Sequence, residues 1–358
     1  MAGPASNKVT AWPRSAAVTA QAAQVQAHHV LPARGSVVPV TIPSTASGFK
    51  HRGELVYLPP AWFATSPPPK LPTVLMLGGE FNTPADWLRA GNAVNTVDAY
   101  AAAHHGNAPV LVFADSGGAF NNDTECVNGP RGNVADHLTN DVRPFMTTEF
   151  GVSGDAANWG IAGWSMGGTC AVDLATMHPE LFSAFVDIAG DMAPNSGTRS
   201  QTINRLFGGN AATYAAWDPV NVITKHVPYQ GISAWFAINA NTGNPATQPR
   251  NIPAAIGTAP LGYHAGTGRP SDQTTAANTL CALGTAHGIQ CAVVAQPGKH
   301  DWPFAARVFA TALPWLAGAL HTPGVPAPTL PAAARSAADV PATGTRHGAE
   351  TSTEAAGQ

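Results

Sequence analysis

The chain is poor in charge: Asp, Glu, Lys and Arg together make up 11% of its 358 residues, and the formal net charge is −3. No basic stretch is dense enough to leave the electrostatic footprint of a nucleic-acid or anionic-membrane binder. No apolar run approaches the roughly 18 residues a membrane-spanning helix needs. The first thirty residues have no hydrophobic signal core, so the sequence as given is expected to be soluble and to carry no export address. The four cysteines, Cys126, Cys170, Cys281 and Cys291, form no C-x-x-C pair, which argues against a zinc site. No glycine-rich loop ends in Gly-Lys-Ser/Thr, so there is no nucleotide-phosphate cradle of that type. No internal repeat is visible.

Apolar residues, by contrast, make up 44%, enough for a sizeable core, and 36 glycines with 32 prolines imply many turns and long loops. Residues 1–35 are polar and rich in Ala and Gln without a clear period, and read as a flexible leader. Residues 322–358 form a Pro/Ala/Thr-rich stretch that cannot bury a core and read as a disordered tail. The body between them, 36–321, alternates short apolar runs with helical patterns. Strands are expected at Ser36–Ile42, Gly53–Leu58, Thr73–Leu77, Pro109–Ala114, Asn158–Gly163, Ala184–Ala189, Ile232–Ile238 and Gln290–Ala295. Helices are expected at Ala90–His104, Asn133–Phe150, Met166–Met177, Thr274–His287 and Pro303–Leu320. The first two strands read as an antiparallel pair. The later ones are near-continuously apolar, as in a parallel sheet covered by helices on both faces. The pattern predicts an α/β fold, with insertions at 191–231 and 240–273 beyond strand ends, where ligands bind in such sheets.

One stretch carries chemistry. Gly163-Trp164-Ser165-Met166-Gly167 joins the apolar run NWGIAG to the helical run MGGTCAVDLATMH. A serine on so sharp a strand-to-helix turn projects its hydroxyl above the sheet, and flanking glycines remove Cβ atoms that would clash. A helix-capping serine in a glycine turn is the plainer alternative. As a nucleophile, the serine needs a base and an orienting acid, in the chain order Ser, Asp/Glu, His. Of the later histidines, His300 follows the last strand through a Pro-Gly turn and precedes the final helix, where such a base must hang. Between Asp218 and Asp301 the only carboxylate is Asp272, 28 residues before His300. Asp272 could equally cap the helix beginning at Thr274, and Asp191, at the end of AFVDIAGD, is the rival acid. An oxyanion needs fixed N–H donors. Met166, next after the serine, supplies one, and Gly79 or Glu80 in the loop LMLGGEFNTPADW the other. Trp164, Trp302 and Phe81 are candidate substrate-lining residues.

The segments TVLMLGGEFNTPADW, PVLVFADSGGAFNNDTECVNG, HLTNDVRPFM, GIAGWSMGGTCAVDLATMHPELFSAFVDIAGD and GKHDWPF resemble the esterase D family of α/β-hydrolases, which includes S-formylglutathione hydrolases and mycobacterial mycolyltransferase antigens. The resemblance covers most of 36–321 and implies an α/β-hydrolase fold. In the mycolyltransferases a P-S-E segment holds the triad acid, and PSD at Pro270–Asp272 looks like its counterpart, which implies Ser165, Asp272 and His300 as the triad. It implies a serine esterase working through an acyl-serine on a small-molecule or lipid ester, or an acyltransferase delivering to a sugar or lipid hydroxyl. A cell-envelope or secreted location is an expectation of the resemblance alone. A binding module on a hydrolase fold is the third possibility. Residues 240–271 depart from the family pattern, so the pocket stays undefined. No cofactor is expected, and oligomeric state is open. Asp115, Asp123 and Glu125 in the loop 114–132 fit no calcium-loop spacing and read as a solvated rim rather than a metal site. Cys281 and Cys291 flank AHGIQ and could link a helix to the following strand.

Overall fold

Val74 and Met76 bury their side chains on one face of a sheet while Leu75 and Leu77 bury theirs on the other. That two-sided burial requires cover on both faces, and the computed structural model of the chain supplies it. The model describes residues 16–28, 30–239 and 270–331, the side chains of 16, 17, 26 and 270–272 excepted. Eight strands form the main sheet: β1 (Ser36–Val40), β2 (Glu54–Leu58), β3 (Thr73–Leu77), β4 (Val110–Phe113), β5 (Trp159–Trp164), β6 (Ala184–Ile188), β7 (Ser233–Asn239) and β8 (Gln290–Gln296). Their spatial order is β1-β2-β4-β3-β5-β6-β7-β8. β2 runs antiparallel to both β1 and β4, and every other pairing is parallel. The expected antiparallel opening pair is therefore present, with Ser36 opposite Leu58.

The main helices are α1 (Ala16–His28), α2 (Ala93–Ala103), α3 (Arg143–Phe150), α4 (Met166–Met177), α5 (Arg199–Phe207), α6 (Ala211–Trp217), α7 (Pro219–Lys225), α8 (Pro270–Ala286) and α9 (Trp302–Ala319). α4 and α8 cover one face, placing Cys170, Leu174, Ala277 and Leu280 in a core with Leu75, Ile161 and Phe236. α2 and α9 cover the other, where Val97, Val308 and Phe309 meet Val74, Ala162 and Val186.

Two regions differ from the sequence reading. Where a flexible leader was expected, Val18, Ala22 and Val25 of α1 are buried, and the Ser36 hydroxyl donates to Gln21 Oε1 at 2.5 Å. An alanine-rich helix holds its place by docking three small apolar residues, a signal too weak to stand out as a period. In the insertion 191–231, three helices form, each with a polar N-cap. Thr198 and Gln201 make a reciprocal capping box on α5, while Asn210 and Asp218 cap α6 and α7. The insertion 240–269 and the tail beyond 331 lie outside the described residues.

All four cysteines are paired. Cys281–Cys291 links α8 to β8, as their spacing allowed, and Cys126–Cys170 ties the loop after β4 to α4, the helix behind Ser165. The second bridge joins residues 44 apart, so it removes considerable freedom from the unfolded chain. A Cys126→Ala/Cys170→Ala double variant should lose about 2–4 kcal/mol of stability, read as a lowered thermal midpoint. An unchanged midpoint would contradict that role.

Candidate active site

Ser165 occupies a conformation that L-residues rarely adopt, with φ 57° and ψ −120°. The surroundings leave it no alternative. A Cβ on Gly163 would lie 1.7 Å from the Gly167 carbonyl oxygen, and one on Gly167 would lie 2.5 Å from the Leu77 carbonyl oxygen. The turn packs backbone on backbone against the end of β3, and only glycine fits at either flank. The Ser165 N–H donates to the Ile188 carbonyl at 2.9 Å, fixing the turn to β6 as well. The hydroxyl makes no cap bond to α4; the helix-capping alternative does not describe it.

The hydroxyl instead meets His300. Its Oγ lies 3.0 Å from His300 Nε2, across 135 residues of sequence. His300 hangs between β8 and α9, and Asp301 caps α9 by accepting the Phe304 N–H at 3.0 Å. The imidazole lies against the Trp164 ring, centroids 4.2 Å apart at 34°. Trp164 is buried and thus backs the base rather than facing solvent, while Trp302 packs edge-on to Trp87 at 5.1 Å. Burial holds the His300 pKa below its ordinary 6.5, against the opposing pull of the Asp301 carboxylate.

The other ring nitrogen meets a residue that no motif singles out. Gln273 Nε2 lies 3.2 Å from His300 Nδ1. Gln273 is buried, and its Oε1 has no hydrogen-bond partner. If Nε2 of His300 is to accept the serine proton, Nδ1 must carry a hydrogen and needs an acceptor. Exchanging the two ends of the amide supplies one, since it sets the orphaned oxygen on Nδ1. Asp272 stands one residue earlier in the first turn of α8, and its side chain lies outside the described residues. The rival acid Asp191 accepts from Asn195 Nδ2 at 2.8 Å, and its N–H donates to Thr169 Oγ1 at 2.9 Å.

Met166 opens α4, so its N–H is one of the first-turn donors without an intrahelical acceptor. In the loop after β3, the Gly79 N–H is taken by Asn82 Oδ1 at 3.0 Å. Gly79 nevertheless borders the nucleophile, because a Cβ there would lie 3.3 Å from Ser165 Cβ. Phe81 is 52% exposed and Phe120 69%, and their rings pair at 5.6 Å across two loops. Phe120 carried no motif.

The loop 114–132 is solvated at its tip, around Phe120, but its carboxylates are not the solvated groups expected. Asp115, Asp123 and Glu125 are all buried. Arg52 pairs with Asp115 at 2.6 Å and lowers its pKa despite burial. Burial, with Asp123 nearby, pushes the Glu125 carboxyl well above the usual carboxylate range. The Cys126–Cys170 bridge anchors the loop beside the buried Glu125, and Arg52 anchors it at Asp115. Among the described residues, His51, Glu54 and His137 have the ligand types of a metal site. The two imidazoles, however, stack at 4.5 Å and 20°. In-plane lone pairs on nearly parallel rings do not converge on one ion, and Glu54 Oε1 instead pairs with His137 Nε2 at 3.0 Å.

Neutral imidazole is the form that accepts a proton, and the lowered pKa keeps His300 neutral further into acid. Titration of His300, followed by the NMR shifts of its ring protons, should show a midpoint below 6.5. A midpoint above that value would contradict the dominance of burial.

Residues 50–304 match the Esterase family. An uncharacterized protein of Corynebacterium glutamicum is 34% identical over 216 residues, 58% of this chain and 50% of that one. The MPT51 antigen of Mycobacterium leprae is 28% identical over 153 residues, 39% of this chain and 48% of that one. The chain thus spans about half the length of these two relatives. Among solved structures, a ferulic acid esterase superposes with a TM-score of 0.57 at 16% identity, covering 80% of this chain and 99% of that one. An S-formylglutathione hydrolase from Agrobacterium tumefaciens gives 0.57 at 17% identity, covering 81% and 98%. At such identities the likeness speaks for the fold, which is that of the α/β-hydrolases. With most of its length matched by the family and its sheet arranged in that fold, the chain belongs to the Esterase family.

Proposed function

We propose that the protein is a serine esterase that cleaves carboxylic esters through an acyl-serine. The observation carrying this reading is the 3.0 Å approach of His300 Nε2 to Ser165 Oγ on a strained turn. His300 takes the hydroxyl proton as Ser165 attacks the ester carbonyl. The N–H groups of Met166 and Glu80 receive the charge that develops on the carbonyl oxygen. The alcohol leaves with the proton from His300, and water, activated by the same imidazole, releases the acid. Asp272 is the proposed acid that balances the imidazolium, with Gln273 steadying the Nδ1 edge. Phe81 lies along the apolar part of the ester. A solved relative in fold is a fluorophosphonate-binding serine hydrolase of Staphylococcus aureus, FphF, with a TM-score of 0.58; that chemistry suits this reading.

An acyl-serine can also be released by an alcohol, which would make the protein an acyltransferase. The resemblance of the PSD segment at Pro270–Asp272 to the acid-bearing P-S-E of the mycolyltransferases favours keeping this second reading. Supplying trehalose or glycerol with an ester donor separates the two, because transfer yields a new ester that depends on the acceptor.

Ser165→Ala should abolish turnover, and His300→Ala should lower kcat about 10²- to 10⁴-fold. Asp272→Asn should fall in the same direction. Full activity in His300→Ala would remove that residue from the mechanism. Full activity in Asp272→Asn, with loss in Gln273→Leu, would move the orienting role to Gln273.

A further inference from the structure

We infer that Arg52 and Asn82 are positioning residues that set the oxyanion pocket, by turning the Gly79 N–H away from the nucleophile and leaving that of Glu80 to face it. This rests on the serine-esterase reading. Two candidate donors follow β3, and only one can serve at a given loop conformation. Asn82 decides between them. Its Oδ1 accepts the Gly79 N–H at 3.0 Å, while its own N–H donates to the Gly79 carbonyl at 3.1 Å. These two bonds close a ring over residues 79–82 and spend the Gly79 donor. A Cβ at Gly79 would stand 2.9 Å from Asn82 Oδ1 and 3.3 Å from Ser165 Cβ, so a side chain there would press on both, and glycine lets the loop lie close beside the elbow.

Asn82 is itself held from the sheet. Arg52 Nη2 donates to the Asn82 carbonyl at 2.8 Å. The same guanidinium is fixed by Asp115, with Nη2 to Oδ1 at 2.6 Å and Nε to Oδ2 at 3.0 Å. The Arg52 backbone N–H adds a bond to Asp115 Oδ2 at 2.6 Å. Asp115 also accepts from the N–H groups of Gly117 and Gly118, and its own N–H donates to the buried Glu54 Oε1 at 3.0 Å. Arg52 lies two residues before β2 and Asp115 two residues after β4, so both anchors flank the sheet and hold the loop after β3 from outside it. Oxyanion stabilisation depends on donors that are in place before charge appears, and a planar guanidinium holds a carboxylate and a carbonyl in one rigid fork, a geometry the rotatable donors of an ammonium do not fix.

The test compares Asn82→Ala, Asn82→Asp and Arg52→Lys with the unaltered protein on a short-chain nitrophenyl ester, recording kcat, KM and thermal midpoint. Loss of a whole oxyanion donor costs about 10²–10³ in rate, so a misplaced one should lower kcat about 10- to 100-fold in Asn82→Ala and Arg52→Lys, with KM changed less than about two-fold. Asn82→Asp keeps an acceptor for Gly79 and should recover most of the loss. Equal kcat in Asn82→Ala and the unaltered protein overturns the inference, as does a loss confined to KM or an Asn82→Asp as impaired as Asn82→Ala. Asn82→Ala keeps the test open if Arg52→Lys fails to fold. No turnover in the unaltered protein would overturn the esterase reading along with this one, a result distinct from equal turnover in all four.

Discussion

A serine hydroxyl becomes a nucleophile only when a base stands within hydrogen-bond reach, and here that reach depends on a turn with no room in it. Gly163 and Gly167 let backbone pack directly on backbone, and Ser165 between them is driven to positive φ. Strain of that kind costs about 1–3 kcal/mol and persists only where the surroundings over-determine it. A bond to β6, bonds within the first turn of α4 and the close backbone packing against the end of β3 do so. Were the turn relaxed, the hydroxyl would swing to cap the helix and the 3.0 Å contact with His300 would be lost.

The rest of the sheet can be read as support for that point. Parallel strands bring the loops after β3, β5 and β8 to one edge, where Gly79 borders Ser165 and Ser165 meets His300. α9 seals the opposite face and starts at the residue after Asp301, so the same carboxylate that caps the helix stands beside the base. Around this edge, polar groups are buried in quantity. Asp115 survives as an anion because Arg52 and several N–H groups meet it, whereas Glu125 is driven toward its neutral form by burial and by Asp123. Buried carboxylates differ according to what faces them, and the charged one is the one that organises structure.

Much of this was legible in the chain. Strong periods over Thr73–Leu77 and Met166–Met177 gave boundaries that coincide with the observed ones, because continuous burial leaves an unbroken apolar run. Ser165 and His300 were legible because their chemistry demands a fixed order and a position at strand ends. Gln273 was not, since a glutamine beside an aspartate bears no signal of which one faces the imidazole. Arg52, Asn82 and Asp115 act through contacts between loops distant in sequence, and spacing cannot report those. The G-x-x-N interval from Gly79 to Asn82 was the one available hint, as Asn readily closes such a turn on the backbone. The burial of Asp123 and Glu125 goes with the pairing of Cys126 with Cys170, which the sequence left open among three connectivities.

The account's central claim is a covalent bond at one atom. Rapid acid quench during turnover of a nitrophenyl ester, followed by mass spectrometry of the digested protein, would capture it. The predicted result is an acyl increment on the peptide carrying Ser165, accompanied by a burst of nitrophenol equal to the enzyme present. An acyl group found reproducibly on another side chain, with the Ser165 peptide unmodified, would contradict the claim.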